Sequence, residues 1–513
     1  MKKISLVLVL VMLLSVIGFG CSNGNVDQPQ DEPQDEGETK DTLVIGSGFD
    51  IDGMDPHGTG SLVSMKIVTN IYDTLFKVDP EGNISQQLVE NWEESEDKLT
   101  YTFKLKEGVM FHNGEELKAS DAVFSIRRGM ESPYAGAIFM SVEGAEEVSE
   151  YEFKVNLKYP YAPFLYAMAT PLSSILNEKA VNDGGDDYSR NPIGTAAYKF
   201  VSWEPGDRVV LEANNNWHMG EVPIKNLIFR VLPDLSTAAI SLENEEIDLL
   251  LDVSTTDRQR IQDNPDLELI ESPSHQYIYL GFNMELEMFQ DINIRQAVAY
   301  AIDKEGINEV ATEGVGTVAQ NHLTSSIFGF SPDVKGYEQD MEKAKDLISQ
   351  SSYPDGFECN VILRDEETKK AAQVIKSNLA EIGIEMNVET LERAAHLERG
   401  KNGDFDMILS SWSSPVPDAD YSLNFLFHSK MINAMNLSRY SNPEIDELIL
   451  EGEMQLEEEV RLDIYEEILE TLKNDLPTIP LYYKTSTIAA NNDLQNVKAS
   501  PSSTYYFYEL SWE

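Results

Sequence analysis

Basic residues are scarce in this chain of 513 residues: 39 Lys and Arg stand against 89 Asp and Glu, for a formal net charge of -50. Such a surface excludes nucleic-acid binding, which needs cations clustered against phosphates, and a basic patch that adheres to anionic lipid headgroups. Two interpretations of the acidity stay open. It is either a solvated shell that keeps an exported protein soluble, or an adaptation to high salt, where dense cations screen the self-repulsion.

Cysteines and long apolar runs are equally few. The only long run, residues 4–19, follows Lys2 and Lys3 and is too short to span a membrane comfortably, so residues 1–21 are predicted to be a secretory signal. The run ends in small residues before Cys21, which resembles a bacterial lipoprotein cleavage site and predicts lipid attachment at Cys21. Ordinary cleavage with Cys21 incidental is the alternative. With Cys21 lipidated, Cys359 has no partner for an intrachain disulfide and is predicted to be a small buried hydrophobe.

Motifs of common catalytic sites are missing. The sequence contains no Walker-type Gly-Lys-Ser/Thr loop, no His-Glu-x-x-His motif and no Gly-x-Ser-x-Gly elbow, and its seven histidines lack metal-ligand spacing. Gly46 and Gly48 follow a predicted strand, but acidic residues come next where a pyrophosphate would lie. We therefore predict a protein that is not an enzyme and has neither a cofactor nor a metal site.

Residues 22–41 are rich in Pro, Gln, Asp and Glu and have no apolar periodicity, so they are predicted to be a disordered acidic tether. From residue 42 the pattern is α/β. Alternating or buried apolar runs predict strands at residues 42–45, 99–105, 151–157, 385–390 and 406–410. Apolar residues at helical spacing predict helices at residues 120–128, 291–303, 341–350, 367–383 and 443–473.

Several motifs recur in a fixed order along the chain. They include Met54-Asp55-Pro56-His57, Asn70-Ile-Tyr-Asp-Thr-Leu-Phe76, Leu88-Val-Glu-Asn-Trp92, the block from Tyr101 to Gly114, Asn191-Pro-Ile-Gly-Thr-Ala-Ala-Tyr198, Ile294-Arg-Gln-Ala-Val-Ala-Tyr-Ala-Ile-Asp303 and Pro477-Thr-Ile-Pro-Leu481. Together they resemble family 5 of the bacterial extracellular solute-binding proteins, which includes oligopeptide, dipeptide and nickel binders. The resemblance covers essentially the whole chain after the tether.

The resemblance implies a two-lobed, periplasmic-binding-protein-like α/β fold with a hinge and an extra subdomain on the first lobe. Lobe I is expected to combine residues 42–56, 190–275 and 485–513, the extra subdomain to take residues 57–189, and lobe II residues 276–484. Chain crossings near Ser274 and Lys484 would then allow the lobes to close over a ligand.

The implied function is that of an extracytoplasmic binding lipoprotein of an ABC importer. It would be a monomer, held on the outer face of the membrane by lipid on Cys21, that binds short peptides between the lobes and delivers them to the permease. The resemblance maps the ligand-binding residues to Gly60, Ser61, Leu62, Ser411, Trp412, Ser413, Asp418 and Asp420. The two serine-containing segments would pair with the backbone of an extended peptide, and Trp412 would cover it while its indole donor stays free.

One position departs from the family pattern. Peptide binders of the family place an Asp three residues after this tryptophan, where it meets the ligand amine, and this chain has Pro415 there. Asp418 and Asp420 are the substitutes for that carboxylate, although Asp418 also suits a helix cap. The alternative function is therefore the same role for a non-peptide solute: an oligosaccharide, a metal chelate or another small organic molecule. A surface protein without an importer is the remaining alternative.

Overall fold

In the computed structural model, which describes residues 40–513, the chain enters its first strand almost at once. The predicted signal, Cys21 and residues 22–39 of the predicted tether lie outside the described residues. Lys40 and Asp41, the last two residues of that tether, already contact the folded body. The Lys40 ammonium pairs with buried Asp248, and the Asp41 carbonyl accepts from the backbone N–H of Lys225 at 2.7 Å.

The strands, in chain order, are β1 (Thr42–Ser47), β2 (Phe76–Val78), β3 (Ile84–Gln86), β4 (Val89–Glu94), β5 (Thr100–Leu105), β6 (Val142–Ser149), β7 (Glu152–Leu157), β8 (Tyr198–Glu204), β9 (Arg208–Ala213), β10 (Asn226–Val231), β11 (Leu249–Leu250), β12 (Leu267–Phe282), β13 (Thr317–Val318), β14 (Phe357–Leu363), β15 (Ile384–Thr390), β16 (Met407–Ser413), β17 (Thr478–Asn491), β18 (Leu494–Gln495) and β19 (Ser511–Trp512).

The helices are α1 (Leu62–Ile71), α2 (Ala119–Glu131), α3 (Phe164–Ala167), α4 (Glu178–Gly184), α5 (Leu235–Glu243), α6 (Arg258–Gln262), α7 (Glu287–Gln290), α8 (Ile292–Ala301), α9 (Lys304–Thr312), α10 (Met341–Gln350), α11 (Glu366–Ala380), α12 (Arg393–Asn402), α13 (Ala419–Phe427), α14 (Pro443–Met454) and α15 (Glu458–Asp475). Short 3-10 turns occupy Pro171–Ser173, Gly185–Arg190, Ser429–Met431 and Phe507–Glu509.

One large mixed sheet runs through the molecule in the order β15-β14-β16-β12-β17-β11-β1-β10-β9-β8, and β13 pairs with β17. We call the half with β1 and β8–β11 lobe I and the half with β14–β16 lobe II. The long antiparallel strands β12 and β17 belong to both halves, and their pairing shifts register between Pro273 and Tyr277. Such an irregularity bends and twists a strand locally. The two halves of the sheet are therefore joined through the middle of two continuous strands.

A second, antiparallel sheet has the order β4-β5-β7-β6. Its inward side chains alternate along the strands, as Tyr101, Phe103 and Phe153 show, and they pack with α2 and α3 into a separate aromatic core. We call this region the four-stranded subdomain. Val416, from the segment after β16, is buried in the same core. The subdomain therefore touches lobe II.

The predicted α/β class is confirmed, and the predicted helix over residues 341–350 coincides with α10. The single helix predicted over residues 443–473 is wrong, because the chain breaks after Met454 into α14 and α15. The Gln455 side chain accepts from the backbone N–H groups of Leu456 and Glu457 at the break. Gly452 lets the two helices approach closely, since an added Cβ would lie 2.6 Å from the Tyr465 ring. Both helices thereby bury an apolar face, which one straight helix of about 45 Å would not achieve.

Candidate functional site

In lobe I the parallel strands β1, β10 and β11 end at the same edge of the sheet. Ligands of open α/β sheets bind outside the carboxyl ends of such strands. The residues that follow these strands include Phe49, whose side chain is 68% exposed, and Asp252, which accepts from the Lys66 ammonium at 3.2 Å. This edge is one wall of the candidate cleft.

In lobe II the parallel strands β14, β15 and β16 end together in the same way. Arg364 directly follows β14, and its guanidinium donates to the Ser411 hydroxyl on β16 at 2.7 Å. Glu367, in the first turn of α11, accepts from the Tyr482 hydroxyl at 2.9 Å and from the Lys484 ammonium at 2.7 Å. Because Tyr482 and Lys484 lie on β17, the second wall of the cleft is tied to a strand that crosses between the lobes.

The strand β16 has an open edge at this wall. It pairs with β12 along residues 407–413, but β14 pairs with it only at Met407 and Ile408. Within the described part of the chain, no strand pairs with residues 409–413 on the side opposite β12. Alternate N–H and C=O groups of an unpaired edge can accept an added strand. The predicted segment of Ser411, Trp412 and Ser413 lies on this edge.

Trp412 is held firmly on its own lobe. Its indole N–H donates to the Ser422 hydroxyl at 2.9 Å, and its ring lies 5.9 Å from that of Tyr421 and 6.2 Å from that of Phe425. The expectation that the indole donor stays free is therefore wrong. The ring itself is only partly buried, so it keeps surface for a ligand.

The other predicted segment uses most of its backbone internally. Ser61 caps α1, its N–H donates to the Thr59 hydroxyl at 2.9 Å, and its carbonyl accepts from Met65 at 3.1 Å. Leu62 keeps 48% of its side chain exposed. A Cβ added to Gly60 would lie 3.0 Å from the ring of Tyr134, which is itself 49% exposed. This segment therefore offers apolar side-chain contact more than an open strand edge.

The connection from α2 to β6 lies beside residues of both walls. Tyr134 in this connection contacts Gly60, and Ile138, four residues later, lines a small cavity with Tyr421 and Phe425. Tyr421 and Phe425 are the rings against which Trp412 packs. Both predicted segments therefore border the same part of the four-stranded subdomain.

The two predicted acidic residues have different surroundings. Asp418 caps α13 and accepts from the Arg461 guanidinium on both oxygens, each at 2.8 Å, and from the Tyr465 hydroxyl at 3.2 Å. Burial works against the Arg461 charge, but the neighbouring Asp418 raises its pKa above the ordinary value. Asp420 accepts from the Tyr161 hydroxyl of the four-stranded subdomain at 2.5 Å. Burial, together with the charges of Asp418 and Glu453, raises the pKa of Asp420 well above its ordinary value.

Pro415, which stands where the family pattern has an Asp, lines a cavity of about 110 Å³ together with Pro417, Pro501 and His275. Burial lowers the pKa of His275 to about 4, so it is neutral near pH 7. The carboxylates at the rim of this cavity are already bonded, Asp79 to Asn83 and Glu81 to Lys498. The cavity therefore suits an uncharged group.

Four residues at the site carry no recognisable signal in the sequence: Arg364, Tyr134, Tyr161 and Glu453. Each takes part in the site through a residue far away in the chain: Arg364 meets Ser411, and Tyr161 meets Asp420. No strand was predicted over residues 357–363, so no local signal in the sequence indicated Arg364.

Comparison with known proteins places this architecture in a family. The sequence model described as "Bacterial extracellular solute-binding proteins, family 5 Middle" matches residues 83–434, more than half of the chain. The chain belongs to the bacterial extracellular solute-binding proteins of family 5. The predicted family resemblance is confirmed.

Individual relatives align with this chain over most of its length. Oligopeptide-binding protein AppA of Bacillus subtilis is 28% identical over 543 aligned positions, which cover 100% of this chain and 98% of AppA. Heme-binding protein A of Haemophilus influenzae is 28% identical over 460 positions, which cover 84% of each protein. The solved periplasmic binding protein DppA of Helicobacter pylori, in complex with the peptide STSA, has a TM-score of 0.83 and 27% identity, covering 93% of this chain and 98% of DppA. The two-lobed fold is thus confirmed. None of the helices in residues 40–513 is long and apolar enough to cross a membrane.

Proposed function

We propose that this protein is the extracytoplasmic binding lipoprotein of an ABC importer, and that it holds short peptides between its lobes and delivers them to the permease. The observation that carries the proposal is the open edge of β16 at the cleft wall of lobe II. An extended peptide can add to such an edge as a further strand, and main-chain bonds then give affinity whatever the peptide's side chains are. The names of AppA and of DppA with its bound peptide support the same ligand class.

The surrounding side chains fit this mode of binding. Arg364 donates to Ser411 beside the open edge and offers a cation to a ligand carboxylate. The partly buried ring of Trp412 covers one side of the peptide, and the exposed side chains of Phe49, Leu62 and Tyr134 meet it from the other wall. Closure about β12 and β17, near the register shift, would bury the ligand and create the shape that the permease recognises.

A non-peptide solute is the second candidate, and Pro415 is the observation that favours it. A buried peptide amine needs a carboxylate partner, because an unpaired charge in a desolvated site is costly. The carboxylates of the cavity at Pro415, Asp79 and Glu81, are already bonded to Asn83 and Lys498, and Asp418 is saturated by Arg461. The name of heme-binding protein A of Haemophilus influenzae indicates that a relative of this chain binds a metal chelate.

Native mass spectrometry of the purified protein, followed by thermal melting with a library of di- to pentapeptides, tests the two candidates. Co-purified peptides and a rise in Tm with peptides are expected, since a ligand at a hundredfold excess over Kd stabilises the bound form by about 2.7 kcal/mol. Trp412→Ala should reduce the rise to about half or less, and Trp92→Ala, on the four-stranded sheet, should keep it. A protein that ignores peptides but responds to sugars or chelates would overturn the peptide proposal and leave the family assignment intact.

The lipid anchor on Cys21 is part of the proposal and has its own control. Cys359 is 1% exposed, and burial raises the pKa of its thiol to about 12, which makes it a poor nucleophile. Cys21→Ser should release the protein from the membrane and abolish palmitate labelling, whereas Cys359→Ser should change neither. Continued membrane attachment of Cys21→Ser would contradict the anchor.

A further inference from the structure

The four-stranded subdomain meets lobe II through polar contacts around α13 and α14. The Tyr161 hydroxyl donates to Asp420 Oδ2 at 2.5 Å, and the Ala162 N–H donates to the Glu453 carbonyl at 3.0 Å. Asp420 and Glu453 are 3% and 1% exposed. Two acidic side chains from lobe II are therefore buried against another part of the molecule.

A small cavity lies at this junction. Its walls come from both sides, with Ser141, Tyr159 and Tyr161 from the subdomain and Asp420, Asn424 and Glu453 from lobe II. Its volume of about 10 Å³ corresponds to room for a single particle of the size of a water molecule.

Four buried oxygens on the walls of this cavity have no hydrogen-bond partner in the part of the chain that the structure describes. They are Ser141 Oγ, Asp420 Oδ1, Asn424 Oδ1 and Glu453 Oε2. Their residues are between 1% and 3% exposed. Nearly all buried polar groups in proteins are hydrogen-bonded, so four unpaired oxygens around one cavity indicate a missing partner.

The chemistry of these oxygens limits what that partner is. Carboxylate and amide oxygens only accept, and the Asn424 amide nitrogen already donates to Glu453. The Tyr159 hydroxyl lies beside Glu453 and is a donor for one oxygen, which still leaves Asp420 and Asn424. A water molecule has two hydrogens, and it leaves the two neighbouring carboxylates without a counter-charge.

We propose that this cavity binds one small monovalent inorganic cation, which bridges lobe II and the four-stranded subdomain through the oxygens of Asp420, Asn424, Glu453 and Ser141. Four available oxygens are too few for Ca²⁺, which takes six to eight, or for the octahedral shell of Mg²⁺. The cationic side chains nearby do not fill the role: Arg461 is bonded to Asp418, and Lys430 acts on Glu453 without donating a hydrogen bond to any of the four oxygens. Sequence analysis predicted no metal site, since these four residues are separated in the chain and follow no ligand spacing.

The electrostatics agree with the geometry. Burial raises the pKa of Glu453 as well as that of Asp420, and Asp418 adds to both shifts. The charged groups that act on the pair are Asp418, Arg461 and Lys430, and the hydroxyls facing it belong to Tyr159, Tyr161 and Tyr421. A monovalent cation at this place supplies positive charge in direct contact with the two buried acidic groups. The proposed cation site does not involve the transported solute, so the outcome of its test does not depend on the peptide proposal.

Thermal melting of the purified protein in choline chloride, with NaCl replacing it at constant ionic strength, tests the site. Choline is too large for the cavity, so it screens the surface charge without entering. We expect a saturable rise in Tm with Na⁺ that follows one-site binding. Asp420→Asn and Glu453→Gln should each weaken the Na⁺ dependence at least tenfold. Glu447→Gln, an exposed residue on the same helix as Glu453, should leave it unchanged.

A second measurement needs no variant. Crystals soaked in rubidium chloride should show an anomalous peak among the four oxygens, which identifies the cavity directly. Equal Tm values in choline and sodium, a sodium effect that survives Glu453→Gln, or no rubidium peak would overturn the proposal. Saturation by micromolar Ca²⁺ would overturn the monovalent assignment, and a shift seen only with added peptide would assign the oxygens to a ligand amine instead.

Discussion

The two walls of the cleft present different parts of the chain to a ligand. The lobe II wall offers backbone: within residues 40–513 no strand pairs with β16 beyond Ile408 on the side away from β12, and Trp412 is fixed by Ser422. The lobe I wall offers side chains. There the backbone of Ser61 is used by a helix cap, while Leu62 and Phe49 are exposed.

This difference separates two requirements of a binding protein. Main-chain pairing needs a rigid edge in a fixed register, and lobe II supplies it at β16, after which Asp418 is held by the buried ion pair with Arg461. Apolar contact is not directional, so the lobe I wall can accept varied side chains as it closes. We infer that affinity comes mainly from lobe II and tolerance mainly from lobe I.

The largest effect is expected from loosening the anchor of the lobe II wall. Arg461→Met leaves the Asp418 carboxylate buried without its cation, which should cost about 3–5 kcal/mol of unfolding free energy in urea denaturation. Arg208→Met, at the exposed start of β9 in lobe I, should change it by less than about 0.5 kcal/mol. Adding Asp418→Asn to Arg461→Met should restore part of the loss. A loss near zero would mean that Asp418 is solvated rather than paired.

The aromatic cover of the lobe II wall comes next. Trp412→Ala should weaken ligand binding by about 10- to 100-fold, or about 1.4–2.7 kcal/mol, because it removes a large fixed surface beside the open edge. Leu62→Ala should weaken binding by less than about fivefold, since that side chain adapts to the ligand. Calorimetry with one tight ligand measures both. A larger loss for Leu62→Ala would reverse the roles of the walls.

A pH series tests the raised pKa of Asp420. The folded pKa of Asp420 is raised above its ordinary value of 3.8, so the native state binds the extra proton. Its contribution to stability is then complete below pH 3.8 and is lost as the pH rises through the folded pKa, by at most about 1.4 kcal/mol per pH unit. In choline buffer, urea midpoints of wild type should therefore fall relative to Asp420→Asn as pH rises from 4 to 8. Parallel curves for the two proteins would show that Asp420 does not titrate across this range.

The smallest effect is the most specific for strand addition. In a strand, alternate N–H groups point to the same side, so peptides N-methylated at successive positions should lose affinity at every second position only. Each sensitive position should cost about fivefold, or about 1 kcal/mol. Competition against the unmethylated peptide measures the series. A loss at every position would mean that both walls pair with the peptide backbone.

Much of the local structure could be predicted because it depends on neighbours in the chain. The period-2 patterns of β5 and β7 and the helical spacing of α10 match the structure closely. The helix predicted over residues 443–473 failed because its apolar face fits two short helices as well as one long one. The close approach of Gly452 on α14 to Tyr465 on α15 favours the two packed helices, and this contact forms only in the tertiary structure. The indole bond of Trp412 to Ser422 was missed for a similar reason, since it depends on how α13 returns to β16.

By itself, the sequence determined the family and the α/β alternation, because these follow from local patterning and from motifs in a fixed order; the ligand-binding role of residues 411–413 stays a prediction. Only the tertiary structure decided which predicted groups remain available to a ligand. Asp418 and Asp420 stand two residues apart and look equivalent in the sequence, yet one is saturated by Arg461 and the other faces Tyr161 and Glu453. The physical reason is that a buried charge is defined by its partners, and those partners come from segments tens to hundreds of residues away.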